Sequence, residues 1–295
     1  MTTCASVART HRVLRAGGAL LGAAALAGSL AGCGAGWERP APSTTVVTVT
    51  RGQPAPTPAP DPAPAAETSL EDLLAALEVP AGVQVVLSDG VHHASTPTTQ
   101  QGPAWSTIKV PLAMAALDAG VIGADNAALR QAITLSDNDA AMQLWEALGA
   151  GPVAASAVGA IAEVGVPAER LRPEFSPFGQ TQWPLEQQAD FATTLPCRGG
   201  VVYDLMGQID PSQSWGLGLI PGAHFKGGWG PDPDGTYLVR QFGTLPTAGG
   251  VLGVAIATRG SFAEGTQTLS TTASALQQAL AATPVPAARD CHAPA

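Results

Sequence analysis

Ser106 and Lys109 stand three residues apart at the head of the apolar run Val110 to Leu117. On a helix that spacing puts both side chains on one face, about a turn apart. A serine hydroxyl is a poor nucleophile until a base takes its proton, and a partly buried, neutral lysine can be that base. Alone the tetrad is a weak signal, because a helix-capping serine followed by an exposed lysine has the same spacing. Lysine usage strengthens it. Of the 14 basic residues only Lys109 and Lys226 are lysines; the rest are arginines, which stay protonated and cannot serve as bases at neutral pH. Lys226 opens Lys226-Gly227-Gly228, and between the two lysines lies Ser136-Asp137-Asn138. The latter also reads as ordinary helix capping, since each of its side chains can accept from free N–H groups.

Regular elements must bring these stretches together. Ser69 to Glu78 reads as an amphipathic helix capped by Thr68 or Ser69. Val83 to Leu87 and Val91 to Ser95 read as a strand pair around the turn Ser88-Asp89-Gly90. His92 and His93 are neighbours on the second strand, so they face opposite ways and make a poor metal pair. Ser106 opens a helix, and further helices are expected over 124–135, 139–148, 152–164, 184–195 and 201–208. Residues 165–183, with Pro167, Pro173 and Pro177, form a long loop of the kind that is functional or disordered in a compact domain. Strands follow over 223–230, 236–242 and 250–258, and Phe262 to Ala282 is a closing helix. This order predicts an α+β fold. A five-stranded antiparallel sheet carries the terminal helices on one face, with an all-α lobe inserted over about residues 106–200. The sequence contains no internal repeat, no CxxC or HExxH metal site and no phosphate-binding glycine loop, and nothing in it calls for a metal or cofactor.

The three stretches together, in this order and on these elements, resemble the active-site set of the class A β-lactamases and penicillin-binding D,D-peptidases. The resemblance covers roughly Ser69 to Leu280 and implies a β-lactamase/transpeptidase-like fold and acyl transfer to serine. Ser106 would be the acylated nucleophile, and Lys109 would accept its proton directly or through water. Ser136 would pass a proton to the leaving nitrogen. Asn138 would hold Lys109 and the substrate amide. Lys226 would lower the proton affinity of Ser136 and attract a substrate carboxylate, next to Gly227 and Gly228 on the same strand. The backbone N–H groups of Ser106 and Trp229 would form the oxyanion hole, usually a large contribution in acyl transfer. Asp137 is expected to brace its loop rather than react.

The chain departs from that pattern at four points. Gly227 stands where a hydroxyl-bearing residue usually contacts the substrate carboxylate. Trp229 puts a large ring beside the oxyanion hole, where it either packs against the helical lobe or narrows the site. Ser106 and Ser136 are only 30 residues apart, so the lobe is shortened. Arg170-Leu171-Arg172-Pro173-Glu174 resembles the start of the loop that carries the deacylating glutamate, but the loop ends early, at Thr181 or Trp183. Glu174 is therefore either that base or a surface acid. Arg240, on the following strand, is either a substitute carboxylate anchor or part of a structural ion pair. The expected function is a serine hydrolase acting on β-lactam or D-alanyl peptide amides, with a small molecule or a peptidoglycan peptide as substrate. The alternatives are a D,D-carboxypeptidase-like protein that β-lactams merely acylate, and a non-catalytic binding lipoprotein that kept the fold.

The first 66 residues read as address and spacer. Arg9, Arg12 and Arg15 precede the apolar run Ala16 to Leu30, which is short for a spanning helix. Leu30-Ala31-Gly32-Cys33 resembles the bacterial lipobox, which implies a signal peptide over 1–32 and lipidation at Cys33. Residues 34–66 carry eight prolines between Pro40 and Pro64 and would reach on the order of 100 Å as an extended linker. The domain proper is expected over 67–295, held extracytoplasmically at the membrane through Cys33. The net charge of −9 argues against nucleic-acid binding. Nothing in the sequence indicates an oligomeric state. Cys197 and Cys291 remain as an even pair in an oxidising compartment and are expected to form a disulfide between the middle of the domain and its tail.

Overall fold

A computed structural model describes residues 68–283, 285–288 and 291. The stretches expected to be a signal peptide, the lipidated Cys33 and a proline-rich linker lie outside the described residues.

The first helix, α1 (Leu70–Ala75), is short and is capped by Ser69, whose side chain accepts from the Asp72 N–H. The strands β1 (Gln84–Ser88) and β2 (His93–Ser95) pair antiparallel around the expected turn, where Asp89 accepts from the N–H groups of Val91 and His92. The helical block follows as α2 (Lys109–Asp118), α3 (Ala127–Thr134), α4 (Asn138–Ala147), α5 (Gly151–Ala162), α6 (Leu185–Arg198) and α7 (Gly200–Met206). The chain ends with β3 (His224–Pro231), β4 (Tyr237–Thr247), β5 (Gly250–Gly260) and α8 (Phe262–Ala282), the last held at its start by a reciprocal Ser261–Glu264 cap. The five strands form one antiparallel sheet in the order β2-β1-β5-β4-β3.

Alternation along the strands divides the interior in two. Val85, Leu87, Val239, Val254 and Ile256 pack with Leu73, Leu269 and Leu276 of the terminal helices. Val86, Leu238, Phe242, Ala255 and Ala257 face the other way and join one continuous cluster with α2–α7. The expected α+β architecture is present, and β3, an edge strand, borders the inserted helices. Within the stretch expected to form the lobe, α6 lies on the sheet: its Gln188 bonds to Arg240 of β4, and its Ala189 and Ala192 join the cluster with Ala255. Two expectations at local scale change. The Ser106 helix begins as a 3-10 turn, Trp105–Ile108, and becomes α-helical only at Lys109. Strands β4 and β5 run to 11 residues each because their hairpin pairs through to Thr247 and Gly250. Cys197 and Cys291 are joined as a disulfide, Cα atoms 4.9 Å apart, tying the tail to α6.

Candidate active site

The nucleophile candidate sits on a constrained turn. Ala104 donates to Thr181 O at 2.7 Å, and the Thr107 hydroxyl donates to Ala104 O at 2.6 Å. Between them Trp105 has φ 51°, a left-handed conformation that a bulky side chain rarely adopts. Such a residue costs of order 1–3 kcal/mol and persists only where its surroundings over-determine it. Here they do: the Trp105 ring lies over Gly230 of β3 and meets Phe175 edge-on at 4.9 Å. Ser106 follows directly and opens into a cavity of about 420 Å³.

The three sequence stretches meet at that cavity. Lys109 is buried, and its Nζ donates to Ser136 O at 2.5 Å and Asn138 Oδ1 at 2.7 Å, with Ser136 Oγ at 3.5 Å. Lys226 Nζ reaches the same Ser136 Oγ at 2.8 Å and Gly227 O at 3.1 Å. One hydroxyl thus bridges the two lysines. Ser136 itself has φ 56°, which turns its carbonyl towards Lys109. Asp137 caps α4 by accepting from the Ala140 N–H at 2.7 Å, the bracing role expected of it. Ser106 Oγ makes no direct hydrogen bond to Lys109 among the described residues; the amine is engaged by Ser136 and Asn138.

Electrostatics favour a base here. Burial pushes Lys109 down to about 7, partly countered by the Asp137 carboxylate. Burial also holds Lys226 well below the usual lysine range, and the charge of Lys109 adds to this. Two buried ammonium groups sharing one hydroxyl cannot both stay charged cheaply, so the neutral form of one is accessible near neutrality.

Strand β3 closes the wall opposite Ser106. A Cβ on Gly228 would stand 2.7 Å from Ala104 O and 2.9 Å from Ser106 N, so only glycine lets β3 come up against the turn. Ser106 and Trp229 both line the cavity, as the oxyanion hole expected from their N–H groups requires. Gly227 faces the other side of the strand, where a Cβ would meet the Trp215 ring at 3.4 Å. The indole therefore fills the room that a larger residue at 227 would need. Trp229 does not pack on the helical lobe. Its ring meets Phe262, at the start of α8, at 5.3 Å and Trp215 at 6.1 Å, on the sheet's other side, while part of the residue still borders the cavity.

Glu174 is brought to the cavity rim, half-exposed, and forms an ion pair with Arg172 at 3.0 Å. A hydrogen bond from its own backbone N–H, helped by Arg172, keeps its carboxyl below the usual range. Arg172 also donates to Pro231 O at 2.6 Å and lies over the Phe175 ring, so it ties this loop to β3. Buried Gln180 accepts from the Arg172 N–H and donates to Arg172 O, holding the loop from inside. Arg172 and Gln180 did not stand out in the sequence, although Arg172 lies two residues before Glu174.

The structure does not bring Arg240 to the cavity, and neither sequence reading of it holds. It is fully buried, and it forms no ion pair among the described residues. Cross-strand pairing sets it opposite Gly228, on the face beneath the nucleophile turn, where its guanidinium is taken up by main-chain carbonyls.

Two buried lysines, Lys109 and Lys226, with Ser136 between them and Ser106 at the cavity they border, form the candidate site on this α+β frame. Solved structures of β-lactamases share this fold at low sequence identity, among them a class A enzyme. One from Bacteroides cellulosilyticus is 14% identical over 72% of this chain and 96% of that one, with a TM-score of 0.56. One from Chitinophaga pinensis is 14% identical over 71% and 97%, with a TM-score of 0.55. One from Sphaerobacter thermophilus is 17% identical over 68% and 92%, with a TM-score of 0.53. These likenesses establish the β-lactamase-like fold. No family model and no curated protein sequence matches the chain.

Proposed function

We propose that this protein is an extracytoplasmic serine hydrolase, lipid-anchored at Cys33, that acts on β-lactam or D-alanyl peptide amide bonds by acylation of Ser106. The observation that carries this reading is the buried Lys109–Ser136–Lys226 cluster bordering the Ser106 cavity. Lys109, with its proton affinity lowered to near neutrality, takes the Ser106 proton. Ser106 Oγ then attacks the amide carbonyl, and the Ser106 and Trp229 N–H groups stabilise the oxyanion. Ser136, between the two lysines, delivers a proton to the departing nitrogen. A carboxylate on the substrate draws its attraction from Lys226.

The Arg172–Glu174 ion pair favours a second reading within the same chemistry. A carboxylate held below its usual pKa and tied to a guanidinium is a weak base for activating water. Acylation would then outrun deacylation, as in a penicillin-binding peptidase.

The test is intact mass of the full-length protein in detergent after incubation with penicillins and cephalosporins, beside Ser106→Ala. A lasting adduct on the parent alone supports the peptidase-like form. Loss of drug without a lasting adduct, abolished in Ser106→Ala, supports a β-lactamase. Neither adduct nor drug loss moves the reading to another substrate or to a binding lipoprotein.

A further inference from the structure

We propose that Arg240 is a positioning residue that fixes, from inside the domain, the turn carrying Ser106. The inference rests on the serine-acylating reading for its catalytic consequence, while its structural content is independent of it. The Arg240 guanidinium donates to Gly102 O and Pro103 O at 3.1 Å each, to Trp183 O at 2.6 Å and to Gln188 Oε1 at 2.8 Å. It therefore holds three chain segments at once: the strap entering the nucleophile turn, the end of the loop that carries Glu174, and α6. Gln188 passes the connection on, since its Nε2 donates to Thr107 Oγ1 at 2.8 Å and that hydroxyl donates to Ala104 O at 2.6 Å. Ser106 is thus bracketed on both sides, at 102–104 and at 107, by one hydrogen-bonded chain. The same strap is joined to the loop by the Pro103–Gln182 bridge and by Ala104 N to Thr181 O.

Stability alone does not account for this arrangement. A guanidinium with no carboxylate in contact, fully buried, is a costly choice where apolar side chains would pack. Burial, with repulsion from Arg259, lowers its pKa to about 9, and the Glu186 charge only partly offsets this. What the fork of N–H groups supplies is geometry, since it can aim at several carbonyls simultaneously. The geometry is needed where it is found, because Trp105 is held at φ 51° immediately before the nucleophile. Gly228, paired across the strands with Arg240, leaves the space into which that turn descends.

The experiment uses the full-length protein in detergent and the variants Arg240→Lys and Thr107→Val, the second a near-isosteric change that removes only the hydroxyl link. Acylation by a fluorescent penicillin is resolved into a half-saturating concentration and a limiting first-order constant. Amide exchange is followed over peptides covering 102–108 and, as a reference, β5 and α8. The expected result is a limiting constant lower by about 10–100-fold, a half-saturating concentration within about twofold of the parent, and faster exchange confined to 102–108. An unchanged limiting constant in a folded variant overturns the proposal. So does a rise in the half-saturating concentration alone, which would make Arg240 a substrate-binding group. If the parent takes no adduct, the serine-acylating reading fails, and exchange still decides the positioning: selective loosening of 102–108 upholds it, and uniform or absent loosening overturns it.

Discussion

The burial of Lys109 costs the fold stability, and the proposed chemistry depends on that same burial. Its ammonium form is stabilised in the unfolded chain and penalised in the folded one, so burial brings its folded pKa down to about 7, well below the ordinary lysine value of 10.5. The unfolded state therefore binds the extra proton between those values, and stability rises with pH across that window. Below about pH 7 both states are protonated and the full penalty of burial remains. Lys109→Met is expected to raise the melting temperature by several degrees near pH 6 and by progressively less towards pH 10, measured by calorimetry at several pH values. In the proposed mechanism acylation runs on the neutral amine. The acylation rate of the parent should fall about tenfold per unit as pH drops below about 7; a flat profile from pH 5 to 8 would remove Lys109 as the base. Glu174 gives a second residue-level expectation. If Arg172 restrains it, Arg172→Ala should change the lifetime of a penicillin adduct at least several-fold while leaving acylation within about threefold, and Glu174→Ala should lengthen that lifetime only if the carboxylate activates water.

At the scale of elements, the site depends on how closely β3 approaches the nucleophile turn. Gly228→Ala would set a methyl group against Ala104 O and the N–H groups of Ser106 and Thr107, all within 3 Å. Overpacking of this kind costs about 1–3 kcal/mol. The expected outcome is a folded protein with acylation reduced at least about 100-fold, read by adduct formation and by circular dichroism. Gly227 is a different case, because its Cβ direction leads to Trp215 at ordinary contact distance. Gly227→Ala should be tolerated in fold and acylation, and the contrast between the two neighbouring glycines checks which face of β3 serves the site. In sequence the two look alike. Their difference comes from the pairing of β3 with β4, which turns Gly228 towards Ser106 and Gly227 towards the aromatic group of Trp215, Trp229 and Phe262.

Over the whole molecule, the tail is joined to the middle of the domain by a disulfide spanning 94 residues of sequence. Closing a loop of that length in the unfolded chain stabilises the fold by up to about 5 kcal/mol in the chain-entropy picture. Cys291→Ser should lower the melting temperature by on the order of 10 °C without changing acylation, since Cys197 and Cys291 lie outside the cavity wall. The proposed anchor makes a separate prediction at this scale. Cys33→Ser should move the protein from the membrane fraction to the soluble fraction, with acylation by penicillin unchanged; retention in the membrane would leave lipidation at Cys33 without support.

Much of the site was legible before any coordinates because its chemistry is carried by residue types at local spacings. The Ser-x-x-Lys helix start, Ser136-Asp137-Asn138 and the two lone lysines need only the residue order to be found. Element order likewise predicted the sheet, since strand alternation and helix periodicity are local signals. Arg240 was misplaced for the opposite reason. A strand assignment gives a face only once the register with its neighbour is known, and a shift of one residue reverses it. The positions of Trp215 behind Gly227, of Trp229 against Phe262, and of Gln188 and Gln180 under the turn and loop depend on contacts between segments far apart in sequence. The sequence by itself determined which residues make up the candidate site and roughly where each would sit on its own element. Only the tertiary structure decided which face each group turned to, and what held the nucleophile turn in place, because both follow from strand register and long-range packing.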